Sequence, residues 1–218
     1  IRAAPPETTD PDPLSSSPEV DYASLAAGAS VVRDGRTSLS LVDTLPRLNR
    51  WAAWARLRFY GHPPEEALTE TVPPHALGQC WAFPPLRKEG WSGGDHDMAT
   101  GFYGSLTVKL ARPVVVRSVV IEHPPRSKTP NFGSAVYQFR VFGYRGDKLS
   151  EPFYLGEFMY DAEDASSPVQ RFEVETRTDD DEKIPPLSVI TLAVDSNWGF
   201  ESYTCLYRFR VHGDPYDY

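Results

Sequence analysis

The chain has 218 residues, 30 of them acidic and 22 basic, with a formal charge of −8 and only two cysteines. An acidic balance without a clustered basic face repels phosphate and excludes a nucleic-acid partner, and no stretch approaches the ~18 consecutive apolar residues of a membrane span. The length suits one domain with a tail, enough to bury a single core. Residues 1–20 hold five prolines among Ser, Thr, Asp and Glu, which predicts a disordered linker. The chain starts at Ile1 without an initiator Met or a charged segment ahead of an apolar one, so a fragment is expected, held at a membrane only through a segment outside it. From Asp21 to about residue 214 one globular domain is predicted, and residues 215–218 read as a frayed end.

Residues 50–60 (RWAAWARLRFY) have Ala and Arg-rich helical propensity with Trp51 and Trp54 three apart, which allows a short amphipathic helix or a projecting aromatic element. Beyond them the periodicity is two. Leu106, Val108 and Leu110 alternate with Thr107 and Lys109, and Tyr137, Phe139 and Val141 alternate with Gln138 and Arg140, as half-buried strands do. The continuous apolar runs 114–121 and 187–194 predict strands covered on both faces, with shorter strands at 152–160 and 169–175. In the last run Tyr203, Cys205, Tyr207, Phe209 and Val211 fall on one face and Thr204, Arg208, Arg210 and His212 on the other, with Leu206 an apolar exception. At least seven strands and almost no helix predict an all-β, antiparallel, jelly-roll-like β-sandwich.

Catalytic signals are weak: no phosphate-cradling glycine loop and no Cys-x-x-Cys pair occur. Asp95, His96 and Asp97 offer three metal-ligand types in a row, but adjacent loop residues rarely converge on one ion and a solvated loop is the simpler reading. The acidic run 179–182 lacks the spaced oxygens and the Gly of a calcium loop, and reads as a solvated turn. Cys80 opens the apolar patch 80–83 and Cys205 shares a face with Tyr203 and Tyr207. By position alone they are either two inert thiols or one disulfide closing a long loop.

Several segments, taken in order, carry a resemblance: Asp21-Tyr22-Ala23, Gly28-Ala29-Ser30-Val31-Val32, Gly78-Gln79-Cys80-Trp81-Ala82-Phe83, Glu122-His123-Pro124, Asn197-Trp198-Gly199, and the long run from Tyr203-Thr204-Cys205 to Val211-His212-Gly213. In order and register they resemble the SUN domain, over about residues 21–214, and the last motif resembles the C-terminal SUN class. The resemblance implies a non-enzymatic tether of the inner nuclear membrane, part of the LINC complex. Its domain would lie in the perinuclear lumen and grip the C-terminal tail of KASH-domain proteins.

Carried over by position, the resemblance implies a disulfide between Cys80 and Cys205. It implies a monovalent-cation loop for K+ or Na+ at about 72–79, from Val72 to Gln79, with Pro74 where an acidic residue often stands. It implies a pocket for the tail's free carboxylate made of His123, Ser134, Tyr203 and Tyr207, uncharged donors that accept a chain terminus without attracting every anion. A β-hairpin lid would fall between Thr37 and about Tyr60, so that Trp51, Trp54, Phe59 and Tyr60 belong to it. A further cysteine that bonds the KASH peptide in many animal members is matched at about Arg36, so no covalent link is expected. Residues 84–100 form an insertion. Prolines stand where heptads would precede the domain, so the fragment is expected to be monomeric or weakly self-associating, although the full-length protein can be trimeric. Two other readings stand beside this one. A carbohydrate-binding sandwich would stack sugars on Trp51 and Trp91, and a glycoside hydrolase would use acids such as Glu70, Asp95 and Glu201.

Overall fold

The computed structural model describes residues 19–44, 62–70, 78–86, 103–129, 131–146, 149–162, 168–177 and 181–216. Among the described residues nine strands run in chain order: β1 (Ser30–Val31), β2 (Trp81–Phe83), β3 (Gly104–Glu122), β4 (Gln138–Tyr144), β5 (Phe153–Met159), β6 (Val169–Glu173), β7 (Leu187–Val194), β8 (Thr204–Leu206) and β9 (Arg208–Pro215). All strand pairings are antiparallel, and among the described residues the helical elements are short 3-10 turns. The antiparallel β-sandwich predicted by the alternation is present.

β3 organises both layers. Its first part, through Lys109, pairs with β1 and β7, and β7 continues the layer through β4 to β5. Its last part, from Val114, pairs with β9 on one side and β6 on the other. The two runs expected as separate strands, 105–110 and 114–121, are therefore one 19-residue strand that crosses between layers. Pro113 sits at the crossing, where the β7 register shifts between Lys109 and Val114, because proline brings no N–H to the ladder. The core lies between the layers. Phe139 of β4 packs on Phe158 of β5 at 5.5 Å and edge-on to Phe172 of β6 at 5.1 Å between ring centroids. A second cluster of Phe142, Tyr144, Leu149, Val189 and Ala193, capped by Val32, covers the outer face of β4 and β7, which explains the unbroken apolar run of β7.

The final run is not one strand. It breaks at Tyr207 into β8, which pairs with β2 in a separate two-stranded sheet, and β9, which pairs with β3. The break also resets the alternation. Leu206 faces the main core with Phe209 and Val211, whereas Tyr203, Cys205 and Tyr207 form a satellite cluster with Cys80 and Ala82. Thr204, expected on the polar face, and His212 are both buried, His212 through a ring-nitrogen hydrogen bond of 2.8 Å to the Val20 carbonyl.

The chain enters the domain along β9. The Tyr22 N–H donates to Val211 O at 2.9 Å, and one Asp21 carboxylate oxygen accepts from the N–H groups of Ala23 at 3.0 Å and Val211 at 3.2 Å. Glu19 pairs with Arg171 of β6. Residues 1–18, assigned to the linker, lie outside the described residues.

Candidate functional site

The two-stranded sheet sets the site. Ala82 pairs with Cys205, and Cys80, two residues before Ala82, forms a disulfide with Cys205; the Cα atoms are 5.7 Å apart, within the span that such a bond requires. The satellite cluster packs around this bridge, with Phe200 and Leu41 against it. Tyr207, in the gap between β8 and β9, accepts a hydrogen bond at its hydroxyl from the Gly78 N–H at 3.3 Å. Gly78 has φ +80°, which a side chain at this turn would strain.

His123 is the residue after β3. Its backbone N–H donates to Pro168 O at 3.0 Å, and its ring meets Tyr207 edge-on at 5.0 Å between centroids. Its Nδ1 lies 2.9 Å from Pro124 O. A carbonyl only accepts, so this bond assigns the proton of the neutral ring to Nδ1 and the lone pair to Nε2.

Ser134 ends a 3-10 turn (Phe132–Ser134) and donates to Asn131 O at 2.6 Å. The side-chain amide of the same Asn131 donates to the Tyr203 hydroxyl at 2.8 Å. Asn197 holds the loop before β8 closed. Its amide nitrogen donates to Phe200 O, Tyr203 O and Thr204 Oγ1, at 2.7, 3.2 and 3.1 Å, and its Oδ1 accepts from the Gly199 N–H at 3.0 Å. The four residues expected to hold a chain terminus thus form two linked pairs, His123 with Tyr207 and Ser134 with Tyr203, joined through the cluster beside the disulfide. They are buried, at 2% exposure for His123, 3% for Ser134, 6% for Tyr203 and 5% for Tyr207.

A sequence model of the family described as Sad1 / UNC-like C-terminal matches residues 97–215, more than half of the chain. The chain belongs to this family of SUN domains. SUN domain-containing protein 3 of Mus musculus is 36% identical over 91% of this chain and 53% of its own length. The Homo sapiens protein of the same name is 34% identical over 89% of this chain and 47% of its own. Klaroid protein of Drosophila melanogaster is 35% identical over 70% of this chain and 13% of its own. The chain thus spans about half the length of the first two of these relatives. Among solved structures, a putative chitobiase fragment from Bacteroides thetaiotaomicron superposes with a TM-score of 0.58 at 9% identity, covering 95% of this chain and 99% of that one. Allantoicase from Saccharomyces cerevisiae superposes with a TM-score of 0.50 at 13% identity, covering 89% and 43%. At these identities the likeness shows the sandwich fold alone.

Several candidate residues lie outside the described residues: Trp51, Trp54, Phe59 and Tyr60 of the expected lid, Val72 of the cation loop, Trp91 of the sugar-stacking reading, and the possible metal ligands Asp95, His96 and Asp97. Gly90-Trp91-Ser92-Gly93-Gly94, which spells a Gly-x-Ser-x-Gly elbow, lies outside them too. Gln79 is half-buried beside Cys80, and Glu70 and Glu201 are exposed. Asp181 is also exposed and pairs with Arg177 at 3.0 Å. Among the described residues no three His, Cys, Asp or Glu side chains converge as metal ligands. Residue chemistry did not single out Asn131 and Gly78, since their contacts reach Tyr203 and Tyr207 across 72 and 129 positions. Asn197 stood inside a quoted motif without a role.

Proposed function

We propose that this SUN domain captures the C-terminal peptide of a KASH-domain protein, recognising its free carboxylate at His123, Ser134, Tyr203 and Tyr207. The observation that supports this most is that a backbone N–H and a side-chain amide each donate to a tyrosine hydroxyl of one satellite cluster, with the His123 imidazole packed against one of the two tyrosines. Gly78 N–H and the Asn131 amide now donate to phenol oxygens. A carboxylate is a stronger acceptor, and charge-assisted bonds are about twice as strong as neutral ones. An incoming terminus therefore takes over these donors, and the two phenols, whose protons then point inward, donate as well. Because the four side chains are buried, entry requires local opening, which predicts association slower than the ~10⁵ M⁻¹s⁻¹ lower range of ordinary docking.

In this reading the domain acts as a tether rather than a catalyst. It lies in the perinuclear lumen on a protein of the inner nuclear membrane, and residues 21–214 form the binding unit. A K+ or Na+ ion held by carbonyls of the loop 72–79 would brace that loop, which leads through Gly78 to Tyr207. The isolated fragment is monomeric or weakly self-associating, and a stable trimer in static light scattering at micromolar concentration would count against that part of the reading.

The deciding experiment is calorimetric titration of the oxidised domain with a synthetic KASH-tail peptide as the free acid and as the C-terminal amide. The expected result is at least about a hundredfold loss on amidation, ~2.7 kcal/mol. Equal affinities for acid and amide would remove the carboxylate pocket.

A further inference from the structure

Glu122 and Arg208 are directly opposite each other and close the β3–β9 ladder. The next residue of each chain segment is a pocket residue, His123 after Glu122 and Tyr207 before Arg208. Successive residues of extended chain point to opposite faces, so a pair of charges backs the pair of facing rings.

The Arg208 side chain is only 12% exposed, and its guanidinium faces Asp21 at 3.5 Å, Glu70 at 3.9 Å and Glu122 at 3.9 Å. Glu122 also pairs with Arg210. The three carboxylates come from three separate segments. Asp21 belongs to the chain entering along β9, where its other oxygen holds the Ala23 and Val211 N–H groups. Glu70 follows the 3-10 turn Pro64–Leu68, and Glu122 ends β3. Buried ion pairs roughly break even with apolar replacements in stability, and what they supply is fixed geometry. An arginine fork can address several carboxylates at once, whereas a lysine is a point charge on a flexible stem.

We propose that Arg208 is a positioning residue for terminus recognition. It sets Tyr207 directly through the backbone, and sets His123 through Glu122, in the facing arrangement that a bound carboxylate uses. The inference rests on the carboxylate-pocket reading above and adds to it a residue that does not touch the peptide.

The test titrates wild type, Arg208→Met, Arg208→Lys and Tyr207→Phe with the KASH-tail free acid and its amide, with thermal unfolding recorded alongside. Arg208→Met is expected to keep a cooperative transition, to bind the acid about tenfold more weakly, and to lose most of the acid-over-amide preference; Arg208→Lys recovers only part of it. In the Tyr207→Phe background Arg208→Met costs less acid affinity than in wild type, because the part of its effect exerted through the Tyr207 hydroxyl is already lost and only the part exerted through His123 remains. A wild-type acid-over-amide preference in Arg208→Met, or full additivity with Tyr207→Phe, overturns the inference while the pocket reading stands. If Arg208→Met does not fold, Asp21→Asn decides. It keeps the oxygen that accepts from Ala23 and Val211 and removes the charge facing Arg208. An acid preference reduced about threefold supports the inference, and an unchanged one overturns it. If wild type does not distinguish acid from amide, the pocket reading fails, and the role of Arg208 falls with it.

Discussion

Replacing Cys80 and Cys205 together by alanine tests the scaffold on which the pocket is built. The bridge spans 125 positions, and closing a loop of that length removes about 5 kcal/mol of unfolded-chain entropy at 25 °C. The sulfurs also sit inside the satellite cluster with Ala82, Tyr203 and Tyr207, and the small void left by their removal adds about 1 kcal/mol. For a domain of this size each 1 kcal/mol moves the melting temperature about 2–4 °C, so the combined loss of about 6 kcal/mol is expected to lower melting by roughly 12–24 °C. Urea unfolding of wild type and variant, with and without a thiol reductant, measures the loss directly. Reductant present during unfolding brings wild type to within about 1 kcal/mol of the variant, the difference that the retained sulfurs make, and leaves the variant unchanged. A double variant within about 1 kcal/mol of oxidised wild type, or free thiols titrated in the native oxidised protein, would refute the reasoning.

Other outcomes follow from single contacts. Leu206→Ala, on the core side of β8, is expected to cost about 2–5 kcal/mol in denaturant unfolding, whereas a loss under about 1 kcal/mol would place Leu206 with the satellite cluster instead. Asn197→Ala removes four hydrogen bonds from the loop before β8 and is expected to cost roughly 2–4 kcal/mol and to weaken the free-acid peptide, read by unfolding and titration on the same sample. The His123 ring is held by Pro124 O and packs edge-on against Tyr207, so His123→Ala is expected to weaken the free-acid peptide about tenfold by titration, and an unchanged affinity would count against its place in the site. The Arg171 hydrogen bond holds the Glu19 carboxyl below its usual range. A carboxylate with a lowered folded-state pKa stabilises above its unfolded value and loses that contribution as pH falls through the folded value, so the small melting difference between wild type and Glu19→Gln should vanish in acid.

Much of the sandwich was legible because its strands are half-buried. Phe139 and Val141 alternate with Gln138 and Arg140 as a pleated surface requires, and both are fully buried. The pattern misled where the chain changes layers. The runs 105–110 and 114–121 read as two strands, yet β3 continues through Pro113 between them, because a strand crossing between layers needs a break in hydrogen bonding but not in extension. Leu206 was the trace of the opposite event, since one apolar residue out of phase is what a change of sheet at Tyr207 leaves in an alternating run. The proposed pocket was less legible from residue chemistry. Tyr203, Tyr207, His123 and Ser134 were named through the family resemblance, and the groups that orient them, Asn131 and Gly78, act through contacts that no local spacing encodes. Arg208 was read as an outward polar residue because alternation assigns a face but not a partner, and its partners stand at positions 21, 70 and 122.

The place of β9 in the sandwich bears on how a ribosome-bound chain can mature. β9 lies beside the last part of β3, and the entering segment at Tyr22 docks on β9 in turn. Until this strand emerges, one edge of β3 and the apolar residues facing Phe209 and Val211 are open, and Cys80 waits for a partner translated 125 residues later. Pairings of such long sequence separation form slowly, so the emerging polypeptide spends that interval with an open sheet edge and an unpaired thiol, as a substrate for chaperones. Truncations that remove β9 should be degraded rather than accumulate as a partial fold.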